Sequence, residues 1–338
     1  MKGSYGALRY SILMVNWNSW DVLSRCLEHL RNQTFQDFNV LVIDNASNSP
    51  APNDLLSRHP KVTLIRNQSN LGFAAANNQG MKLLDDSDWL VLLNPDAFPE
   101  PDWLEHLIDA ARKNPGYTMY ASRQLMDGNL GILDGDGDVY NISGLAWRDR
   151  QGKGVDDAPS EKLLDGHPLD PREIFSPCAA AALYRRDALI SVGGFDDDFF
   201  CYVEDVDLGF RLRLMEHRCL LVPRAVVHHI GSATTGGPRS DFSVYHGHRN
   251  LVWAYVKNMP GWLFWACLPL HLVMNLATVA IFIMCGKGQP ILRAKRDALL
   301  GLPKMWRKRQ EIQKIRIASV GEIWRVLDKN PFPSKKYR

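Results

Sequence analysis

Through residue 112 the chain alternates short apolar runs with amphipathic ones, and three of the apolar runs lead into a polar side chain: Asn16, Asp44 and Asp96. Tyr10–Val15, Asn39–Ile43, Val62–Arg66 and Trp89–Leu93 read as strands, Asn39–Ile43 of buried type. Asp21–Arg31, Phe73–Leu84 and Asp102–Arg112 read as helices, the first with Val22, Leu23, Leu27 and Leu30 near helical spacing and Ser19 as its cap. Strand–helix repeats with short connections predict a mostly parallel sheet flanked by helices. Ligands of such sheets bind beyond the carboxyl ends of the strands, where Asn16, Asp44 and Asp96 stand.

Residues 127–172 are rich in Gly, Asp and Pro and read as loops with short strands. Ala179–Leu183 reads as a strand, Arg186–Ser191 and Glu204–Glu216 as helices, and Cys219–His228 as a late strand. Asp134-Gly-Asp136-Gly-Asp138 imitates a calcium loop, but Val139 stands where the sharp-turn glycine belongs and Leu145 where the bidentate acid belongs. A glycine-rich turn is the better reading. The six cysteines are scattered with no C-x-x-C pair, which argues against a disulfide framework or zinc site and for a reducing compartment. The apolar run Ser11–Val15 is closed at once by Asn16, so the N-terminal segment reads as a strand rather than a secretory signal.

The net charge of +3 conceals an asymmetry. Residues 287–338 carry 15 Lys and Arg against 4 Asp and Glu, so the rest of the chain is acidic. Just before this basic tail, residues 261–285 contain no charged side chain, a length that could span a bilayer. An acidic body with an apolar segment and a basic tail points to an anionic membrane surface rather than nucleic acid. The expected division is therefore 1–256, with halves of about 8–125 and 126–256, and a helical membrane-associating region at 257–338.

Seven segments in order sharpen this reading. They are Val15-Asn16-Trp17-Asn18, residues 42–47 around Asp44 and Asn45, residues 70–80 from Asn70 and Gly72 through Asn78, Leu93-Asn94-Pro95-Asp96, residues 193–208 containing Glu204 and Asp205, residues 227–232 with His228 and His229, and Arg249-Asn250. Together they resemble glycosyltransferase family 2, the inverting enzymes of GT-A fold, and within it the bacterial rhamnosyltransferase-like branch. The resemblance spans roughly residues 10–255. No Q-x-x-R-W motif of the processive members follows the base segment, which favours addition of a single sugar.

The resemblance implies roles. Asn94-Pro95-Asp96 stands where the family carries D-x-D, making Asp96 the ligand of a divalent metal, Mg²⁺ or Mn²⁺, that neutralises the departing diphosphate. His228 is the implied third ligand, chosen over His229 by motif alignment alone. Asp44 would accept the imide N–H of a uracil or thymine ring, since an ionised carboxylate only accepts. Asn16, Asn18, Asn45, Asn70, Gly72, Asn78, Asn94 and Arg249 would complete the nucleotide-sugar site, with Arg249 pairing a phosphate. Inversion needs a base on the face opposite the leaving group; the resemblance makes this Asp205, with Glu204 orienting it. Each residue also has a bland reading: turn aspartates, acids at a helix N-terminus, a structural histidine, a surface cation.

The expected activity is transfer of one sugar, rhamnose from dTDP-rhamnose, to a lipid-linked or polysaccharide-precursor acceptor. A UDP-hexose or UDP-galactofuranose donor is the alternative within the family. A nucleotide-binding oxidoreductase is the alternative outside it, weakened by the lack of G-x-G-x-x-G after the first strand. Such an enzyme works in the cytoplasm, and a single crossing at 261–285 would place the basic tail outside. Pro269, His271 and Asn275 also interrupt the run. The expectation is therefore an in-plane, monotopic or peripheral element at the cytoplasmic face of a bacterial inner membrane. Arg293, Lys295, Arg296, Arg307, Lys308 and Arg309 would lie on its headgroups; a core helix or dimer contact is the alternative.

Overall fold

The computed structural model describes residues 8–155, 163–164, 167–168, 170–231, 236–237 and 239–330. The first half runs β1 (Tyr10–Asn16), α1 (Trp20–Arg31), β2 (Phe38–Asp44), α2 (Leu55–Arg58), β3 (Val62–Arg66), α3 (Phe73–Leu83), β4 (Trp89–Leu93), β5 (Ala97–Pro99) and α4 (Trp103–Lys113). The middle holds β6 (Met119–Met126), β7 (Asn129–Gly135), β8 (Asp138–Tyr140), β9 (Ala146–Arg148), β10 (Leu163–Leu164), β11 (His167–Pro168) and β12 (Arg172–Ile174). Then come β13 (Ala181–Arg185), α5 (Arg186–Ser191), α6 (Glu204–Leu214), β14 (Cys219–His229), α7 (Asp241–Asn258), α8 (Gly261–Met284), α9 (Gly288–Ile315) and α10 (Val320–Val326).

The central sheet has the order β12-β14-β6-β13-β4-β1-β2-β3. β1 pairs in parallel with β2 and β4, and β2 with β3. β13 then runs antiparallel to both β4 and β6. Alternate residues of the parallel strands enter different cores, as burial on both faces requires. Ile12, Met14, Val40, Val42 and Val91 pack against α1 and α4, while Leu13, Leu41, Ile43 and Leu92 pack against α3 and α6. The small residues of α3 let it approach closely: a Cβ on Gly80 would stand 2.2 Å from Leu13 Cδ1.

Two details differ from expectation. Ser19 precedes α1 without a side-chain capping bond; its hydroxyl donates to Asn16 Oδ1 at 2.7 Å. β6, a long strand inside the sheet, has no counterpart in the expected elements. Its sequence Met-Tyr-Ala-Ser-Arg-Gln-Leu-Met looks too polar, but buried partners satisfy it. Trp103 Nε1 donates to Ser122 Oγ at 2.8 Å, and Arg123 forms a two-pronged 2.9 Å pair with Asp136. The calcium-like motif thus supplies strand residues: Asp136 is neutralised by Arg123, and Asp134 and Asp138 have other partners.

The expected division at residue 256 falls inside α7. A third core joins Tyr140, Phe175, Phe199 and Phe210 of the body to Trp253, Tyr255, Phe264, Cys267 and Met305 of the helical region. All six cysteines are free.

Candidate active site

A cleft of about 470 Å³ opens at the carboxyl ends of β1, β2 and β4, and it gathers Asn45, Asn70, Gly72, Asn94, Asp96, Asp138, Arg148, Asp205, Glu204 and His229 on its walls. Its rim carries the aromatic side chains Trp17, Trp147, Phe200, Tyr202 and Phe242. This is where a parallel sheet leaves strand ends unblocked.

One wall is a polar network. Asp44 is fully buried; its Oδ1 accepts from Ser47 Oγ at 2.5 Å, from Ser47 N at 3.2 Å and from Asn16 Nδ2 at 3.5 Å. Its Oδ2 lies 3.3 Å from Arg66 Nε without an aligned hydrogen bond. Asn18 takes a left-handed φ of 54° and accepts from Asn48 N at 2.7 Å. Asn16 and Asn18 therefore tie the β1 and β2 loops together behind the cleft. Asn45 reaches Asn70 Oδ1 at 2.8 Å and Gly72 O at 3.2 Å. Gly72 has φ 84°, and a Cβ there would meet the Phe200 ring at 2.5 Å and its carbonyl oxygen at 2.8 Å, so only glycine fits.

A second wall holds Asp96. β5 and β14 pair antiparallel, with His229 opposite Ala97 and His228 opposite Phe98. Neighbouring strand residues point to opposite faces, so only one histidine can enter the cleft. It is His229, whose Nε2 lies 3.3 Å from Asp96 Oδ1 and whose Nδ1 lies 2.7 Å from Asp134 Oδ2. The expectation for His228 is corrected by this alternation: its Nε2 lies 3.2 Å from Glu100 Oε1 and it does not line the cleft. Arg148 pairs with Asp134 and stands 3.4 Å from His229 Nδ1. Burial would raise the Asp96 carboxyl, but the His229 imidazole and Arg148 guanidinium outweigh it and hold it below its ordinary value.

The third wall carries the acids at the start of α6. Asp205 accepts from Val206 N at 2.8 Å and Ala179 N at 3.2 Å. Glu204 is buried, with Oε2 unpartnered. Burial and then the Asp205 charge push the Glu204 carboxyl well above the ordinary range, and the same two causes raise Asp138. In two of the three neighbouring acids burial thus disfavours the charged form. Asp207 is turned fully inward to Arg211, Lys257 and Asn258.

The turn before these acids is strained. Phe200, Tyr202 and Val203 have φ of 63°, 67° and 68°, a region that disfavours non-glycine residues by about 1–2 kcal/mol each. Asn250, fully buried, holds them: its Nδ2 stands 2.9, 3.0 and 2.7 Å from the carbonyls of Phe199, Cys201 and Tyr202. Arg249 donates to the Asp198 and Phe199 carbonyls, both at 3.1 Å, and stacks on Trp253. The expected phosphate role of Arg249 is corrected accordingly: its guanidinium is buried beneath the turn, outside the cleft. Asn78 is also displaced from its expected role. It binds Phe195 N and O at 2.8 Å each and Asp197 Oδ1 at 2.6 Å, on the far side of that segment.

Sequence reasoning missed Asp134, Asp138, Trp147, Arg148 and Phe242. The close spacing of Asp134, Asp136 and Asp138 was the available signal, although a bend at 136–137 separates the strands that carry Asp134 and Asp138. Ser232 lies outside the described residues.

The comparisons with known proteins follow this geometry. A family model described as glycosyl transferase family 2 matches residues 11–193. The N-acetylglucosaminyl-diphospho-decaprenol L-rhamnosyltransferase of Mycobacterium tuberculosis is 29% identical over 260 residues, covering 70% of this chain and 80% of that one. The O-antigen biosynthesis protein RfbC of Myxococcus xanthus is 26% identical over 232 residues but is matched over only 17% of its length. Among solved structures, the mannosyltransferase PcManGT of Pyrobaculum calidifontis, in complex with GDP-Man and Mn²⁺, superposes with TM-score 0.54 at 17% identity, over 91% of this chain and 84% of that one. GalNAc-T7 with UDP, GalNAc and Mn²⁺ gives TM-score 0.58 at 18% identity, over 74% of this chain and 48% of that one. At these identities the two structures establish likeness of fold.

Proposed function

Because the chain belongs to glycosyltransferase family 2 and has its GT-A fold, we propose that this glycosyltransferase moves a single sugar, rhamnose from dTDP-rhamnose, with inversion onto a lipid-linked acceptor. The observation that carries the reading is the placement of Asp96 and His229 on one wall of the cleft and Asp205 on another. The name of the mycobacterial relative supports the donor sugar and a lipid-linked acceptor.

The donor set fits a divalent cation. His229 Nδ1 is fixed by Asp134, which leaves Nε2, without a hydrogen-bond partner, directed to Asp96. A carboxylate-braced imidazole beside a carboxylate is a recurring metal-binding unit. Two protein ligands leave positions for diphosphate oxygens and water. When bound, the cation would neutralise charge on the departing diphosphate. Arg148, charged and adjoining the same wall, adds a second positive group for those oxygens. Asn45, on the cleft wall, would receive the base and ribose end, and the fully buried Asp44 behind it would brace the loop through Ser47. Asp205 would take the proton from the acceptor hydroxyl, with Glu204 and Asp138 as neighbours whose charged forms burial disfavours.

The helical region supports attachment in the membrane plane. α8 is the one helix among the described residues long and apolar enough to cross a bilayer. Its first half packs against the rest of the chain, and beyond His271 it is half-buried or exposed. Leu263, Phe264, Cys267 and His271 are buried; the His271 ring stacks on Tyr255 at 3.9 Å, and Phe282 meets His248 at 4.6 Å. The polar residues that interrupt the run serve this contact: His271 Nδ1 lies 2.7 Å from Ser143 O, and Asn275 Oδ1 accepts from Lys295 at 2.5 Å. The opposite face is bare, with Trp262 and Trp265 61% and 64% exposed. A helix apolar on its open face and packed on its other face suits an interfacial site. The headgroup role expected of Lys295, Lys308 and Arg309 is corrected. Lys308 pairs with Asp196 and Asp198, Arg309 donates to the Val256 and Met259 carbonyls, and Lys295 binds Asn275. Arg293, Arg296 and Arg307 remain exposed.

The test is a product assay with dTDP-rhamnose, UDP-hexose and UDP-galactofuranose donors and an N-acetylglucosaminyl diphospholipid, with the anomeric configuration read by NMR. Rhamnosylated, inverted product is expected. Turnover with only another donor would change the sugar; retention of configuration would remove Asp205 as base.

A further inference from the structure

The rim of the cleft and the membrane-facing helices meet at the first turn of α7. Phe242 lines the cleft, while its neighbour Asp241 accepts from Lys287 Nζ at 2.7 Å, in the turn between α8 and α9. The catalytic cleft and the end of the exposed apolar helix are therefore one residue apart along α7. The cleft rim around Phe242 is aromatic. Phe242 stands 6.3 Å from Phe200, 6.1 Å from Tyr202 and 4.5 Å from His246, and His246 stacks on Phe200 at 5.3 Å. Burial and then Arg249 lower the His246 pKa to about 4, so the ring is neutral near pH 7 and adds to an apolar strip. Two residues further, on another face of α7, the buried His248 abuts Phe282 of α8, beside Ile281 and Met284, which project into the open.

Resting on the reading of a lipid-linked acceptor, we infer that Phe242, Phe200 and Tyr202 at the rim and residues 281–284 at the end of α8 form a track for the acceptor's hydrocarbon chain. The acceptor sugar would enter the cleft past Phe242, while its lipid runs over the strip and joins the bilayer along the bare face of α8. The track answers a physical difficulty. A chain leaving the cleft elsewhere would cross water, and exposing its methylenes is unfavourable. The nearness of this aromatic rim to the end of the apolar α8, through the Asp241–Lys287 pair, favours a lipid chain over a sugar as occupant, because a sugar would need polar partners beyond the rim.

The experiment uses the full chain, dTDP-rhamnose and two acceptors, N-acetylglucosaminyl diphosphate on decaprenol and on a single isoprene unit. One variant pair, Ile281→Ser with Met284→Ser, alters the near end of the bare face. The control pair, Trp262→Ser with Trp265→Ser, alters its far end. Both pairs are exposed, though Trp265 also meets Phe264 and Trp306; thermal melts check folding, and vesicle flotation reports general membrane binding. The near-end pair should raise the KM for the decaprenyl acceptor about tenfold, leaving kcat and the short-chain KM unchanged, while the far-end pair weakens flotation with a smaller effect on that KM. An equal rise in KM for both pairs would mean a membrane surface only and would overturn the track. So would a near-end effect on both acceptors alike. If wild type uses the short-chain acceptor no less well than the decaprenyl one, the track fails and the reading of the cleft stands. Inactivity with both acceptors would remove that reading and the track with it.

Discussion

Asp134 Oδ2 lies 2.7 Å from His229 Nδ1, and this contact sets which way the histidine faces. The ring donates from Nδ1 and presents Nε2 to Asp96. Asp134 comes from the β7 hairpin and His229 from β14, so the pair links two loops of the second half to the strand-end aspartate of the first.

That relationship separates the two adjacent histidines. His229→Ala should weaken Mn²⁺-dependent donor binding strongly, and Asp134→Asn by about 10–100-fold, the usual scale for a residue that braces a ligand. His228→Ala should leave metal dependence unchanged, because its ring faces Glu100. Calorimetry of donor binding with and without Mn²⁺ decides; equal effects of the two histidine variants would break the assignment. Asp96→Ala should abolish the metal dependence.

Asn250 holds the turn that presents the base. Asn250→Ala removes its contacts to three carbonyls beneath three left-handed residues, and kcat should fall about tenfold or more with donor affinity little changed. Adding Val203→Gly should recover part of the lost stability, since glycine takes that φ without strain. A thermal melt and a donor titration check this. A variant whose kcat is normal would mean the turn holds itself.

Much of the first half was legible because its signals are local. Apolar runs of strand length, separated by amphipathic helices, specify a parallel sheet, and Asp44 and Asp96 sit at strand ends for the same reason. β6 was illegible because its polarity is cancelled at a distance, Arg123 by Asp136 and Ser122 by Trp103. Choosing between His228 and His229 needed the strand register. The inward turn of Arg249 needed the 198–202 backbone beneath it. Lys308 looked like a headgroup ligand because nothing in α9 itself reveals Asp196 and Asp198.

That last contact has a pH signature. Burial would raise Asp196, but Lys257 and Lys308 outweigh it and hold its pKa below the ordinary 3.8. A depressed carboxyl contributes stability above its unfolded value and loses it as pH falls through the folded one. Lys308→Met should therefore destabilise the protein at neutral pH, and the gap from wild type should narrow once pH drops below 3.8. Denaturant melts across that range measure it; a gap that stays constant would show that Lys308 contributes packing alone.

Membrane attachment should depend more on the bare face of α8 than on charge. Only three of the six expected headgroup cations are exposed, so high salt should release a minor fraction, and alkaline carbonate more. Trp262→Ser with Trp265→Ser should reduce flotation with vesicles. Full resistance to carbonate would instead indicate a crossing helix.

The most direct test of the account is Asp205→Asn, which keeps the shape of the side chain and removes its basicity. Donor binding in the presence of Mn²⁺ should be unchanged, while single-turnover transfer to the acceptor falls by roughly 10²-fold or more, the usual scale for a positioned base. Near-normal transfer by this variant would contradict the account, because it would mean that a group other than Asp205 takes the proton.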